Sequence, residues 1–418
     1  MRNNIQNIGF VSTRIAGTDG VSLEIKKWCD ILERNGFKCH FFAGELETPP
    51  KRSFLVRKAY FDHPEIDEIQ QICFEKPTRP KIISKKIQDF KKHLKSKLYQ
   101  FQKRFHIDLI IPENSLAIPM HIPLGMAITE FIAETGMPAI AHHHDLRWER
   151  TRFLNSCVDD YLRMSFPPDL PSLRHVVINS HASQLLSYRV GISNVIIPNV
   201  YNFAVPPSKI DDYGRRLRQK IGLKEDDPFI LQPTRIVSRK WIEKSVELVW
   251  MIKLPHPSLV ISHASGDEGD DYAIHIYKYA KRMGVKIIAI GHMINHKRKK
   301  DKKGNHLFSI DDVYKNADIV FYPSGYEGFG NAFLEAIYFK KPIVLNRYST
   351  YISDIEPKGF DVVVFDTLAT EETVREIKKL LKNPKRVKEM TERNYLLAKK
   401  HFSYEVLEKK LLPIINSF

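Results

Sequence analysis

Short apolar runs, each followed by a stretch of helical periodicity, recur from one end of the chain to the other, and this alternation restricts the fold more than any other property. IGFVS (8–12) leads through a glycine-containing turn into a segment from Leu23 to Glu33 with Leu23, Trp28, Ile31 and Leu32 on its apolar side, and then into CHFFAG (39–44). Strand, helix, strand in that order is a βαβ unit of a parallel sheet. Further runs follow at DLIIP (108–112), PAIAHHH (138–144), HVVINS (175–180) and NVIIPN (194–199). They are continuously apolar, as expected of strands covered by helices on both faces. Ligand contacts then belong to the loops at the strands' carboxyl ends.

A second series begins after the polar stretch 205–227, with FILQPT (229–234), SLVISHA (258–264), KIIAIG (286–291), DIVFYPS (318–324) and PIVLN (342–346). The fold class expected is α/β, two doubly wound Rossmann-like domains facing across a cleft, spanning 1–203 and 204–400. FSYEVLEKKLLPIINSF closes the chain, its helix taken as 401–418. A length of 418 residues suits two such domains.

The 65 Lys and Arg against 49 Asp and Glu give a formal charge of +16, which attracts polyanions, anionic membrane surfaces or phosphorylated small molecules without choosing among them. Cys29, Cys39, Cys73 and Cys157 form no CxxC pair, so neither a disulfide framework nor a zinc site is expected. The opening residues MRNNIQNIGFVST contain no signal-like apolar stretch, and nothing approaches the roughly 18–20 apolar residues of a membrane span. A cytoplasmic location is expected. Residues 81–105 read as a Lys-rich amphipathic helix with Ile87, Phe90, Leu94, Leu98, Phe101 and Phe105 on one face. It is expected to pack on the first domain, with weak peripheral contact to the inner membrane face as the alternative. KRKKDKKG (297–304) reads as an exposed flexible loop.

Four segments carry chemistry. In PSGYEGFGNAFLEA (323–336), Glu327 and Glu335 stand eight apart around Gly328 and Gly330, after an apolar run and at the opening of a helix. Such a loop offers backbone N–H groups and a helix N-terminus to phosphate oxygens, and acids to sugar and ribose hydroxyls. In TRIVSRKWIEKSV (234–246), Arg235 and Lys240 bring a guanidinium fork and a point charge to one loop, suited to a diphosphate. RIAGTDGVSLE (14–24) places Gly17, Asp19 and Gly20 where the first strand meets its helix, without the GxGxxG fingerprint. In AHHHDLRWERTRF (141–153), successive histidines on an extended strand point to opposite faces, so three ligands to one ion are not expected there.

The whole run 323–336 resembles the Glu-x7-Glu element of glycosyltransferase family 4, and 234–246 resembles that family's Gly-Arg…Arg-Lys-Gly stretch, with Thr234 and Trp241 where glycine is common. His144-Asp145 is similar to the His-Asp ending the matching first-domain strand. The resemblance extends over about residues 5–400, and STRIAGTDGVSLE, ENSLAIPMHIPLG and HHHDLRWER are similar to the branch that includes mannosylglucosylglycerate-type synthases. It implies a retaining GT-B hexosyltransferase whose first domain takes the acceptor, whose second binds the nucleotide sugar, and whose last helix crosses back to the first. It assigns Arg235, Lys240, Glu327 and His144 to catalysis. Glu335, Gly328, Phe329, Gly330, Asn331, Gly17 and Gly20 fall to donor binding, and Asp19, Asp145, Arg147 and Glu149 to the acceptor. No Asp-x-Asp element appears, so no metal or other cofactor is expected beyond the nucleotide-diphosphate sugar as co-substrate.

GDP-mannose is the favoured donor, UDP-glucose the next, and the acceptor expected is a small anionic glycoside such as a glucosylglycerate. Three other readings keep their own requirements. A peripheral membrane transferase acting on a lipid or envelope precursor needs the 81–105 helix to be free. A basic nucleic-acid-binding protein needs interleaved stacking aromatics and has no use for the two glutamates, so no nucleic-acid partner is expected. Phosphorolysis needs a pyridoxal-phosphate lysine, for which no candidate stands out.

Overall fold

The computed structural model describes residues 5–17, 19–263, 270–301 and 304–418. The chain divides into two compact units, one made of the residues up to Val200 together with Tyr404–Phe418, the other of Tyr201–Ser403.

The first unit contains β1 (Asn7–Val11), α1 (Gly20–Arg34), β2 (Lys38–Ala43), β3 (Ser53–Leu55), α2 (Lys81–Phe105), β4 (Leu109–Pro112), α3 (Ile122–Thr135), β5 (Ala139–His143), β6 (Leu173–Val177) and β7 (Asn194–Ile196). Its parallel sheet has the order β3-β2-β1-β4-β5-β6-β7. The second unit contains β8 (Ile230–Gln232), α4 (Ile242–Ile252), β9 (Ser258–Ile261), β10 (Lys286–Ala289), β11 (Ile319–Tyr322), α5 (Asn331–Tyr338), β12 (Ile343–Asn346) and β13 (Val363–Phe365). Its parallel sheet runs β10-β9-β8-β11-β12-β13. Both sheets grow outward in the two directions from their first strand, the doubly wound arrangement whose order reverses beside that strand. β4, β8, β9, β11 and β12 are buried at every residue, as continuous apolar runs require.

The last helix, α6 (Tyr404–Ile415), belongs to the first unit. Its Leu407, Leu411, Ile414 and Ile415 share a core with Ile25, Trp28 and Leu32 of α1 and with Phe10 and Ile111 of the sheet. Lys410 Nζ donates to the Ile196 carbonyl at 2.7 Å.

Three readings are amended. HVVINS leaves the sheet after Val177, because Asn179 turns to cap the next helix by accepting from Ala182 N at 2.7 Å. β3 and β13 went unread; each is three residues long and gives little periodicity to detect. The basic run 297–304 is anchored rather than loose in its described part. Arg298 bonds both Asp211 and Asp312, and Lys299–Lys300 pair antiparallel with His306–Leu307; Lys302 and Lys303 lie outside the described residues. The 81–105 helix forms at its expected bounds with Ile83, Ile87, Phe90, Leu94, Leu98 and Phe101 buried, so its apolar stripe is covered by its own unit and unavailable to a membrane. Among the described residues no helix is long and apolar enough to cross a bilayer.

Candidate active site

In the second unit the loops after β8 and β11 meet. The 3-10 turn Ser238–Lys240 follows β8 and delivers Lys240, which is 8% exposed, to Glu327, which is 6% exposed, in the loop after β11. Lys240 Nζ donates to Glu327 Oε1, and Arg239 lies 3.8 Å from the other carboxylate oxygen. Burial opposes the charge on Glu327, but Lys240 and Arg239 outweigh it and hold the carboxyl below its ordinary range. Burial likewise lowers Lys240, with Arg239 and Arg235 adding repulsion against the attraction of Glu327. His263, half-buried beside these groups, is pushed down to about 4, first by burial and then by the repulsion of Arg235 and Lys240. Arg239 was not anticipated; it sits beside Lys240 in a run of basic residues whose side-chain directions the sequence does not give.

The backbone of this loop explains how Trp241 stands where glycine is common in the resembled stretch. Trp241 adopts φ 47, ψ 48, the left-handed region, capping the turn and opening α4 (Ile242–Ile252). A non-glycine residue there costs about 1–2 kcal/mol. Its indole is accommodated by Gly325, where an added Cβ would lie 2.4 Å from Trp241 Cε2, and Gly325 N donates to the Arg239 carbonyl at 3.0 Å.

The glycine-rich loop is fixed from behind. Thr350 Oγ1 donates to the Glu327 carbonyl at 3.0 Å and lies 3.2 Å from that of Gly328, while Tyr348 Oη donates to the Phe329 carbonyl at 3.1 Å. Phe329 is buried edge-on against Phe402. Gly330 caps α5 at φ +107, and a Cβ there would meet Tyr348 Oη at 2.7 Å, so both space and conformation demand glycine. Asn331 opens the helix. Glu335 lies one turn in, half-buried, where Tyr314 Oη donates to its Oε2 at 2.8 Å. Tyr314, wholly buried, was not singled out from the sequence.

In the first unit the histidine run separates as alternation requires. His143 turns to His175, Nε2 to Nδ1 at 2.9 Å. His142 and His144 turn the other way and meet Glu113, which follows β4, at 3.0 Å and 3.1 Å. Glu113 is missing from the sequence-derived set; its one signal is an acid directly after an apolar strand. Burial opposes its ionisation, and the two histidines overcome this to hold it below the carboxylate range. His142 stacks on Trp28, centroids 4.2 Å apart.

The remaining first-unit candidates are structurally engaged. Gly17 is exposed at φ +71 and its N–H donates to Glu47 Oε2 at 2.9 Å. Asp19 caps α1, accepting from Val21 N and Ser22 N, and Gly20 is the first residue of that helix. Asp145 accepts from Arg150 at 2.6 Å, Arg147 Nε donates to the Phe166 carbonyl at 3.2 Å, and Glu149 Oε2 accepts from Leu146 N at 2.6 Å. Among the described residues two groups bring three metal-capable ligand atoms within 4.8 Å of one another, Cys29 with Glu33 and Cys39, and Glu113 with His142 and His144. In the second group the same contacts are those of a carboxylate accepting two N–H bonds.

Residues 214–396 match the family model for glycosyl transferases group 1. The mannosylglucosylglycerate synthase of Petrotoga mobilis is 31% identical, covering 87% of this chain and 88% of its own. That of Thermotoga maritima is 30% identical, covering 97% and 100%. The chain belongs to the glycosyltransferase group 1 family. Its fold is that of solved GT-B structures; Anabaena HepE in complex with UDP-glucose superposes with a TM-score of 0.61 at 14% identity over 99% of this chain and 100% of its own. As a group 1 glycosyltransferase it is a hexosyl-transferring enzyme, and the elements first recognised in 234–246 and 323–336 both lie inside the matched range.

Proposed function

We propose that this enzyme transfers mannose, with retention, from GDP-mannose to the hydroxyl of a small anionic glycoside such as a glucosylglycerate. The observation that carries the reading is the buried Lys240–Glu327 pair with Arg239 beside it and Arg235 within electrostatic reach, at the carboxyl ends of β8 and β11. Cations exceed carboxylates there, the balance a diphosphate needs. The names of the two relatives supply the sugar and acceptor, and HepE's complex supports a nucleotide sugar as the donor class.

In this reading Glu335 takes the ribose hydroxyls, Gly328–Asn331 offer backbone to the phosphates, and Glu327 contacts the sugar. The bond from the anomeric carbon to the diphosphate oxygen breaks, and the acceptor oxygen bonds the same face. The acceptor's proton passes to a phosphate oxygen of the leaving nucleoside diphosphate, whose charge Lys240 and Arg235 offset. His144 bonds a sugar hydroxyl. The net charge of +16 favours an acidic acceptor.

The test is thermal unfolding with GDP-mannose, UDP-glucose and ADP-glucose, followed by turnover with glucosylglycerate. GDP-mannose should raise the transition most, since a ligand at 100 times its Kd adds about 2.7 kcal/mol. Stabilisation by UDP-glucose alone, or by none of the three, overturns the donor assignment.

A further inference from the structure

A single oxygen of a buried carboxylate holds two histidines. Glu113 is 1% exposed, and its Oε2 faces both His142 Nδ1 and His144 Nε2. Carboxylate oxygens only accept, so each histidine must carry its proton on the facing nitrogen. That turns the Nε2–H of His144 inward and leaves Nδ1 as the atom on the other side of its ring. The next residue reinforces the arrangement. Asn114 takes a left-handed φ of 56, and its Oδ1 accepts from His144 N at 3.0 Å and Asp145 N at 3.3 Å. His142, pinned between Glu113 and Trp28, closes the cluster from behind.

We infer that Glu113 is a positioning residue for the transfer reaction, fixing the tautomer and orientation of His144 so that Nδ1 meets the substrate. The inference rests on the proposed role of His144. The groups facing that imidazole are Glu113, Glu24 and Asp145, with neutral His142 alongside and Lys27 paired to Glu24. Burial disfavours the imidazolium, yet the carboxylates outweigh it and raise His144 above the ordinary histidine value. The cation is therefore present at lower pH and lost as pH rises through that raised value, and while it persists Nδ1–H can donate to a substrate oxygen.

Glu113→Gln preserves shape and one acceptor but removes the charge. In the full chain, nitrogen NMR of labelled histidines should show wild-type His144 protonated at Nε2 and bare at Nδ1 in its neutral form. In the variant the His144 titration and the alkaline limb of kcat should both move down by about one pH unit. Turnover should fall roughly tenfold or more, with donor KM within about twofold. A wild-type His144 bare at Nε2 overturns the inference without any variant, as does a folded variant with unchanged titration and kcat. Activity lost to a chelator and restored by zinc would make these atoms metal ligands and also overturn it. Because the NMR reads the tautomer without turnover, a chain that shows the expected tautomer but uses no sugar nucleotide defeats the proposed function and leaves the Glu113–His144 geometry standing.

Discussion

The two units each bury an acid at the carboxyl end of a parallel sheet, and they neutralise it differently. In the second unit Glu327 faces an ammonium and a guanidinium, Lys240 and Arg239, two cations to one carboxylate. In the first, Glu113 faces two histidines, whose charge depends on the proton. A fixed excess of positive charge suits a ligand that always arrives as a polyanion. A carboxylate with imidazoles suits a step in which one hydrogen bond must be aimed and can be tuned.

The largest test of that contrast is Lys240→Ala. Removing one transition-state donor should lower kcat/KM on the order of 10²-fold. Stranding Glu327 should also destabilise the unit by about 3–5 kcal/mol in denaturant unfolding. Pairing Lys240→Met with Glu327→Gln sharpens it, since the double variant should regain much of the stability and none of the turnover. Equal recovery of both would mean that the pair is only structural.

Glu335→Ala comes next. Loss of a carboxylate hydrogen bond of about 1.5–3 kcal/mol should raise donor KM roughly tenfold or more while leaving kcat within a few-fold. A change confined to kcat would remove Glu335 from ground-state binding. The smallest effect concerns Gly325 and Trp241. Gly325→Ala should lose about 1–3 kcal/mol by overpacking the indole, and adding Trp241→Gly should relieve it, so the two changes together are less damaging than their sum in a double-mutant cycle. Strict additivity would separate Gly325 from Trp241.

How much of this was readable follows the same division. Strands such as Ile319–Tyr322 and Ile343–Asn346 announce themselves because burial on both faces demands unbroken apolar runs, and Arg235, Lys240, Glu327 and Glu335 lie in contiguous segments whose order is itself distinctive. Glu113, Arg239 and Tyr314 were hidden because their roles depend on partners 29–31, 88 and 21 positions away, and no spacing rule joins such distances. Trp241 stood out as a departure from glycine, but what accommodates it was hidden for another reason. A bulky residue in a left-handed turn runs against local preference, and only the vacancy opposite, at Gly325, makes it tolerable.

The return of Tyr404–Ile415 to the first unit bears on how the molecule is made. A ribosome must synthesise the whole intervening unit before Leu407, Leu411, Ile414 and Ile415 become available to fill the hydrophobic interior begun by the opening two hundred residues. Each such side chain contributes about 1.5–3 kcal/mol when fully buried. The nascent first unit therefore waits, incompletely packed, until Tyr404–Ile415 has been made, and that segment seals it.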